Sequence, residues 1–219
     1  MKKKKVLIFD FDGTLYSGKN VFNNIPQYIH SNKRKFLPKI SDSEYKKILK
    51  NNPNWNNPNL QGSSLVNEIY NLKKKYPHLD ISIKDFLHWD NLEPDPIILK
   101  NAHLVDYIFM ENLCKEYPTY IVSNSSTTHL EYYLKQLNLN KKWFKKVISN
   151  QFTIKDRTKK HYYETILTQE NCEPKDVFVF GDSVKSDLVP AEKLGMNAIF
   201  VDDTDNLPTL IYSALKIIN

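Results

Sequence analysis

Short, continuous apolar runs recur along the chain at residues 6–9, 119–122, 147–148, 177–180 and 198–201. Runs of this length without polar alternation suit strands covered on both faces. Stretches with helix-like spacing lie around 101–116, 126–138, 160–170 and 187–194. The alternation predicts an α/β fold, doubly wound about a parallel sheet with right-handed crossovers. Residues 19–94 read differently. Phe22, Ile25 and Ile29, and later Leu65, Ile69 and Leu72, have helical spacing without a convincing buried strand, so an inserted helical module is expected between core segments 1–18 and 95–219. Within it, Asn51-Asn-Pro-Asn-Trp-Asn-Asn-Pro-Asn59 predicts a loop. Glu93-Pro-Asp-Pro96 marks the return to the core.

A chain of 219 residues with 41% hydrophobic and 12% aromatic residues can bury a real core, which excludes a disulfide-stapled miniature and disorder along most of the length. No apolar run approaches the roughly 20 residues of a membrane-spanning helix, so no membrane partner is expected. The lysines at positions 2–5 run directly into a strand-like segment instead of a signal-peptide apolar core, and Cys114 and Cys172 have no metal-type spacing. A reduced cytoplasmic setting is the expectation. The formal charge of +6 favours anionic partners. Basic residues are dispersed among acids, with no stripe of cations and interleaved aromatics, so a nucleic-acid polymer is not the expected partner.

Three segments carry candidate chemistry, each just after an apolar run. The first is Asp10-Phe-Asp-Gly-Thr-Leu15. Ligand crevices of open parallel sheets lie outside the carboxyl ends of the strands, where two acids at this spacing can divide the roles of nucleophile and proton exchanger. The second is Gly181-Asp-Ser-Val-Lys-Ser-Asp187, whose Asp182 and Asp187 suit a hard cation directly or through water. Asp187 also reads as the N-cap of the next helix, with Pro190 in its first turn. The third is Tyr120-Ile-Val-Ser-Asn-Ser-Ser126, where the Ser123 hydroxyl and neighbouring amides can hold phosphate oxygens or simply cap a helix.

Taken in this order, the three segments resemble the haloacid dehalogenase superfamily of phosphohydrolases, and the resemblance spans the whole core. It implies that Asp10 attacks phosphorus to form an aspartyl-phosphate, while Asp12 protonates the leaving oxygen and then activates water. Ser123, with Asn124 beside it, would bind the phosphoryl group of a small phosphorylated metabolite. Mg²⁺ would be held by Asp10, the backbone carbonyl of Asp12 and Asp182, with Asp187 supporting its water shell. The insert takes the position of the superfamily's helical cap. Leu15-Tyr16, Asp85-Phe-Leu-His-Trp-Asp90 and Pro94-Asp-Pro96 are similar to the pyrimidine 5′-nucleotidase branch, which points to nucleoside 5′-monophosphates and to Tyr16, Trp55, His88 and Trp89 as base or sugar contacts or as cap packing.

The superfamily's phosphate-binding lysine usually stands in a Lys-Pro pair, and this chain has none. The corresponding stretch, Ile154-Lys-Asp-Arg-Thr-Lys-Lys-His161, offers Lys155, Lys159 and Lys160. Its spacing from Gly181, and the helix face made by Tyr163, Ile166 and Leu167, favour Lys159. A sugar-phosphate mutase would need the same acid and metal. The alternative from another class is a phosphate-binding protein of the same fold without turnover, which fits the missing Lys-Pro pair and the positive charge.

Overall fold

The structure of the protein, a computed structural model, describes residues 5–17, 40–52, 71–78, 99, 101–125, 127–149 and 159–216. The chain divides into two compact units, residues 1–18 with 103–219, and residues 19–102.

The first unit is built on strands β1 (Val6–Phe9), β4 (Thr119–Ser123), β5 (Lys146–Ser149), β6 (Val177–Gly181) and β7 (Asn197–Phe200), all parallel in the order β5-β4-β1-β6-β7. The predicted doubly wound α/β architecture is the observed one. β1 is central, and its four residues are fully buried. Register aligns Ile8 with Tyr120 and Val179, so alternate residues of three strands share one face. That face packs on Tyr163 and Ile166 of helix α4 (Lys160–Glu170) and on Ala191 of the short helix α5 (Val189–Glu192). On the alternate residues, Phe9 stacks on Phe180 with ring centroids 5.0 Å apart.

A second sheet has only two strands, β2 (Tyr16–Ser17) and β3 (His103–Leu104), paired antiparallel at the positions where the chain leaves the first unit and returns to it. Helical spacing around 101–116 therefore overstated the helix. Asn101 adopts a left-handed conformation with φ 59°, β3 follows, and helix α2 (Tyr107–Glu116) starts only after Asp106, whose carboxylate accepts the Phe109 N–H at 2.9 Å. Helix α3 (Thr127–Gln136) follows β4, and the amphipathic helix α6 (Leu207–Lys216) closes the unit by burying Leu207, Ile211 and Leu215.

In the second unit, helix α1 (Asp42–Asn51) begins with a capping box between Ser41 and Glu44. Residues 71–75 are also helical, and Leu72 is buried. Asn51 and Asn52 end α1, where the Asn52 amide donates to the Ile48 carbonyl at 2.7 Å. Trp55, His88 and Trp89 lie outside the described residues, as does most of the Asn/Pro-rich stretch. No described helix is long and apolar enough to cross a membrane.

Candidate active site

Parallel register delivers the acidic segments together. The Asp10 N–H donates to the Phe180 carbonyl at 2.8 Å, so the residue after β1 is fixed beside the end of β6, where Asp182 follows Gly181. The turn that follows Asp12 has no room to spare against Asp182. Gly13 has φ 82°, and a Cβ there would lie 2.2 Å from Asp182 Oδ2. At Gly181 a Cβ would lie 2.6 Å from both Cβ and Oδ2 of Asp187. Both glycines are thus required by the close approach of the carboxylates, and Gly13 by its left-handed backbone as well.

Carboxylate oxygens of Asp10, Asp182 and Asp187 lie within 4.8 Å of one another. Into this cluster reaches Lys159, which immediately precedes α4 and is wholly buried. Its Nζ lies 2.5 Å from Asp10 Oδ1 and 2.8 Å from Asp187 Oδ1. Burial opposes the ammonium charge, but the Asp10 and Asp187 carboxylates outweigh it and hold Lys159 above its ordinary value. Burial likewise pushes Asp10 well above the usual carboxylate range. Lys159 opposes that rise, while Asp187, Asp182 and Asp12 add to it. Asp182 is pushed up to about 6 by burial and then by Asp187. Hard oxygens gathered in one place, two of them disfavoured as anions by burial and mutual repulsion, suit a hard divalent cation.

Lys160 is exposed and pairs with Glu164 at 3.5 Å, one helical turn along α4. Lys155 lies outside the described residues.

Asp187 does not cap the following helix. Ser183 does, accepting the Ser186 N–H at the start of a wide π-type turn (Val184–Leu188) that runs into α5. Asp187 instead turns inward, taking the Ser183 N–H on Oδ2 at 3.0 Å and Lys159 on Oδ1. A fully buried carboxylate needs such partners, and a position inside the turn supplies them where a capping position would have left it in solvent. Pro190 sits in the first turn of α5 as expected.

The Asp12 carboxylate is not part of the acidic cluster. Its Oδ1 accepts the Tyr16 hydroxyl and lies 3.7 Å from His129 Nε2. Its Oδ2 accepts the Ser125 hydroxyl, with the Ser123 hydroxyl at 3.3 Å. Desolvation in the crevice would raise its pKa. His129, followed by Ser125 and Tyr16, more than offsets this and brings Asp12 down to about 2.

Ser123 is buried at the end of β4, where its hydroxyl oxygen also accepts the Ser125 N–H at 2.9 Å. Asn124 is half-buried in the loop that follows. Tyr16 is fully buried in the core unit, its ring against Phe11 and Tyr133. It thus faces Asp12 instead of standing free as a base or sugar contact. Ser125 and His129 had no signal of their own in the sequence: one reads as part of a serine-rich helix start, the other as a helical residue of no stated face.

No curated protein matches the chain. Solved structures do. A predicted phosphoglycolate phosphatase from Haemophilus somnus is 17% identical, covers 100% of both chains and superposes with a TM-score of 0.58. The HAD-hydrolase YfnB of Bacillus subtilis, crystallised with magnesium, is 15% identical over 96% of this chain and 100% of its own, with a TM-score of 0.57. A HAD-superfamily hydrolase from Ehrlichia chaffeensis is 22% identical over 100% of both chains, with a TM-score of 0.52. At these identities the likeness is one of fold. The sequence pattern of the haloacid dehalogenase-like hydrolases, however, matches residues 4–195, a span that takes in every strand but β7 and both acidic segments of the site. On that match, the chain belongs to the haloacid dehalogenase-like hydrolases.

Proposed function

We propose that the protein is a Mg²⁺-dependent phosphomonoester hydrolase working through an aspartyl-phosphate on Asp10. The observation that carries this reading is the buried contact of Asp10 with Lys159 beside Asp182 and Asp187, while Asp12 is held apart. A nucleophile must be ionised, yet burial works against the Asp10 anion. Lys159 supplies one compensating charge. Asp10, Asp182 and the backbone carbonyl of Asp12 would hold Mg²⁺, with Asp187 behind them, and the ion supplies further charge neutralisation for phosphoryl transfer.

An Asp10 carboxylate oxygen attacks phosphorus as the bond from phosphorus to the ester oxygen breaks. The departing alkoxide takes its proton from Asp12. Asp12 then accepts a proton from a water molecule whose oxygen attacks the same phosphorus, and the bond from phosphorus to Asp10 breaks to release inorganic phosphate. Asp12 is a carboxylate in the resting site, and the like charge of a bound phosphoryl group favours the protonated form this cycle needs. Ser123 and Asn124 are proposed to contact the phosphoryl oxygens.

Substrates in this reading are small phosphate esters in the cytoplasm. Nucleoside 5′-monophosphates are the narrower proposal, supported by the likeness of Leu15-Tyr16 and of residues 85–96 to the pyrimidine 5′-nucleotidase branch. The Haemophilus somnus structure is described as a predicted phosphoglycolate phosphatase, which supports small phosphate esters more broadly. Residues 19–94 are proposed as the helical cap, where contacts to the non-reacting part of a substrate belong, and they fall within the compact unit 19–102.

The test is phosphate release from 5′-nucleotides, sugar phosphates and p-nitrophenyl phosphate, with Mg²⁺ or with EDTA. Metal-dependent release is expected. Transfer of the phosphoryl group to a second hydroxyl would replace the hydrolase with a mutase. Absence of both reactions in folded, Mg²⁺-supplied protein would leave a phosphate-binding protein without turnover.

A further inference from the structure

The side chain of Asp12 is 32% exposed. A carboxylate that keeps this access to water is partly hydrated, so burial alone does not demand a full set of protein partners. It nevertheless has partners from three separate elements. Tyr16 from β2 and Ser125 from the loop after β4 donate hydrogen bonds, and His129 from the first turn of α3 faces Oδ1 at 3.7 Å. The two that meet Oδ1 share a backing. The Tyr133 ring lies 5.8 Å from that of Tyr16 and 4.4 Å from that of His129. A buried phenol finds a partner for its hydroxyl, and Tyr16 gives it to Asp12.

We infer that Tyr16, Ser125 and His129 are positioning residues that hold the Asp12 carboxylate out of the Asp10–Asp182–Asp187 cluster and present its Oδ2 for proton transfer to the leaving group. Tyr16 and His129 occupy the Oδ1 side, whereas the partners of Oδ2 are serine hydroxyls. A hydroxyl can turn from donor to acceptor, so Ser125 and Ser123 accommodate either the bare or the protonated Oδ2. Without the outer partners Asp12 is free to swing toward the cation-binding carboxylates two residues away. The inference rests on the proposed role of Asp12 as proton donor.

Leaving-group dependence tests it, because p-nitrophenolate departs without a proton and an alkoxide does not. For Tyr16→Phe, which keeps the ring, and for His129→Gln, kcat on an alkyl phosphate is expected to fall about a hundredfold. The fall on p-nitrophenyl phosphate should stay below about fivefold, with KM little changed on either ester. Asp12→Asn is the reference. If Asp12→Asn shows the leaving-group split and Tyr16→Phe does not, the positioning role is overturned while the hydrolase reading stands. If Asp12→Asn slows both esters equally, or the native protein hydrolyses neither, the proposed acid role itself fails. A crystal structure of Tyr16→Phe gives a readout independent of activity. A turned Asp12 carboxylate is expected, and an unmoved one overturns the inference.

Discussion

Among the described residues of the core unit, one cation between two aspartates occurs twice, and the two groups differ chiefly in their access to water. Lys159 lies 2.5 Å from Asp10 and 2.8 Å from Asp187, with side-chain exposures of 1%, 10% and 0%. His103 lies 2.9 Å from Asp203 and 3.0 Å from Asp205, with exposures of 45%, 36% and 67%. The same charge pattern does two different things. Water screens the histidine group, which adds little to stability and tacks the β2–β3 ribbon to the loop after β7, helped by the Ser17 hydroxyl on Asp203. In the lysine group no solvent compensates for a missing partner, so each charge is held by the others. That dependence leaves room for a further cation, because a buried carboxylate whose charge is only partly balanced favours one.

Removing each cation breaks the comparison most sharply. Lys159→Met leaves Asp10 and Asp187 buried without their counter-charge, and thermal unfolding in EDTA should show a loss of about 3–5 kcal/mol. Turnover should fall far more than for Lys155→Ala, and the reverse ranking would remove Lys159 from the site. A smaller loss is expected from Gly13→Ala, which meets Asp182 Oδ2 and forces a left-handed φ on alanine. Stability should drop by about 1–3 kcal/mol, with weaker Mg²⁺ binding by calorimetry. Lys160→Ala should change unfolding by no more than about 0.5 kcal/mol, since its pair with Glu164 is exposed.

The smallest effect concerns His103. Its hydrogen bond to Asp203, and then the charges of Asp203 and Asp205, raise its pKa above the ordinary 6.5. The folded state therefore holds the proton more tightly than the unfolded one. The contribution to stability is fully present below about pH 6.5 and is lost as pH rises through the folded-state value. An NMR titration of the imidazole should give a midpoint above 6.5 that returns toward it in Asp203→Asn.

These contrasts also mark what the sequence could reveal. β1, β4 and β6 are legible as apolar runs of four residues, because a strand buried along its whole length leaves no alternation to confuse, and β7 is legible by the same kind of run although it is only partly buried. β2 and β3 are not, since two-residue strands have no period and exist through pairing between residues 86 positions or more apart in the chain. The same distinction holds at the site. Asp10 and Asp182 announce themselves by following strands and Asp187 by sharing the second acidic segment, whereas Lys159 is favoured over Lys155 and Lys160 only once the superfamily resemblance directs attention to that stretch. Tyr16, Ser125 and His129 surround Asp12 only because of tertiary placement, and a tyrosine next to a leucine reads equally as core or as ligand contact. Asp187 shows the limit in one residue. Its acidic character in that segment is visible, but a capping position and an inward-facing position in a wide turn look alike until the turn is seen.

The central claim is that Asp10 is the nucleophile of a metal-dependent phosphatase. Phosphate release with Mg²⁺, compared between the native protein and an Asp10→Asn variant of matched thermal unfolding, tests it most directly. The account predicts release that EDTA abolishes and that Asp10→Asn reduces by at least about a thousandfold. Turnover retained within tenfold in the folded Asp10→Asn protein would contradict it.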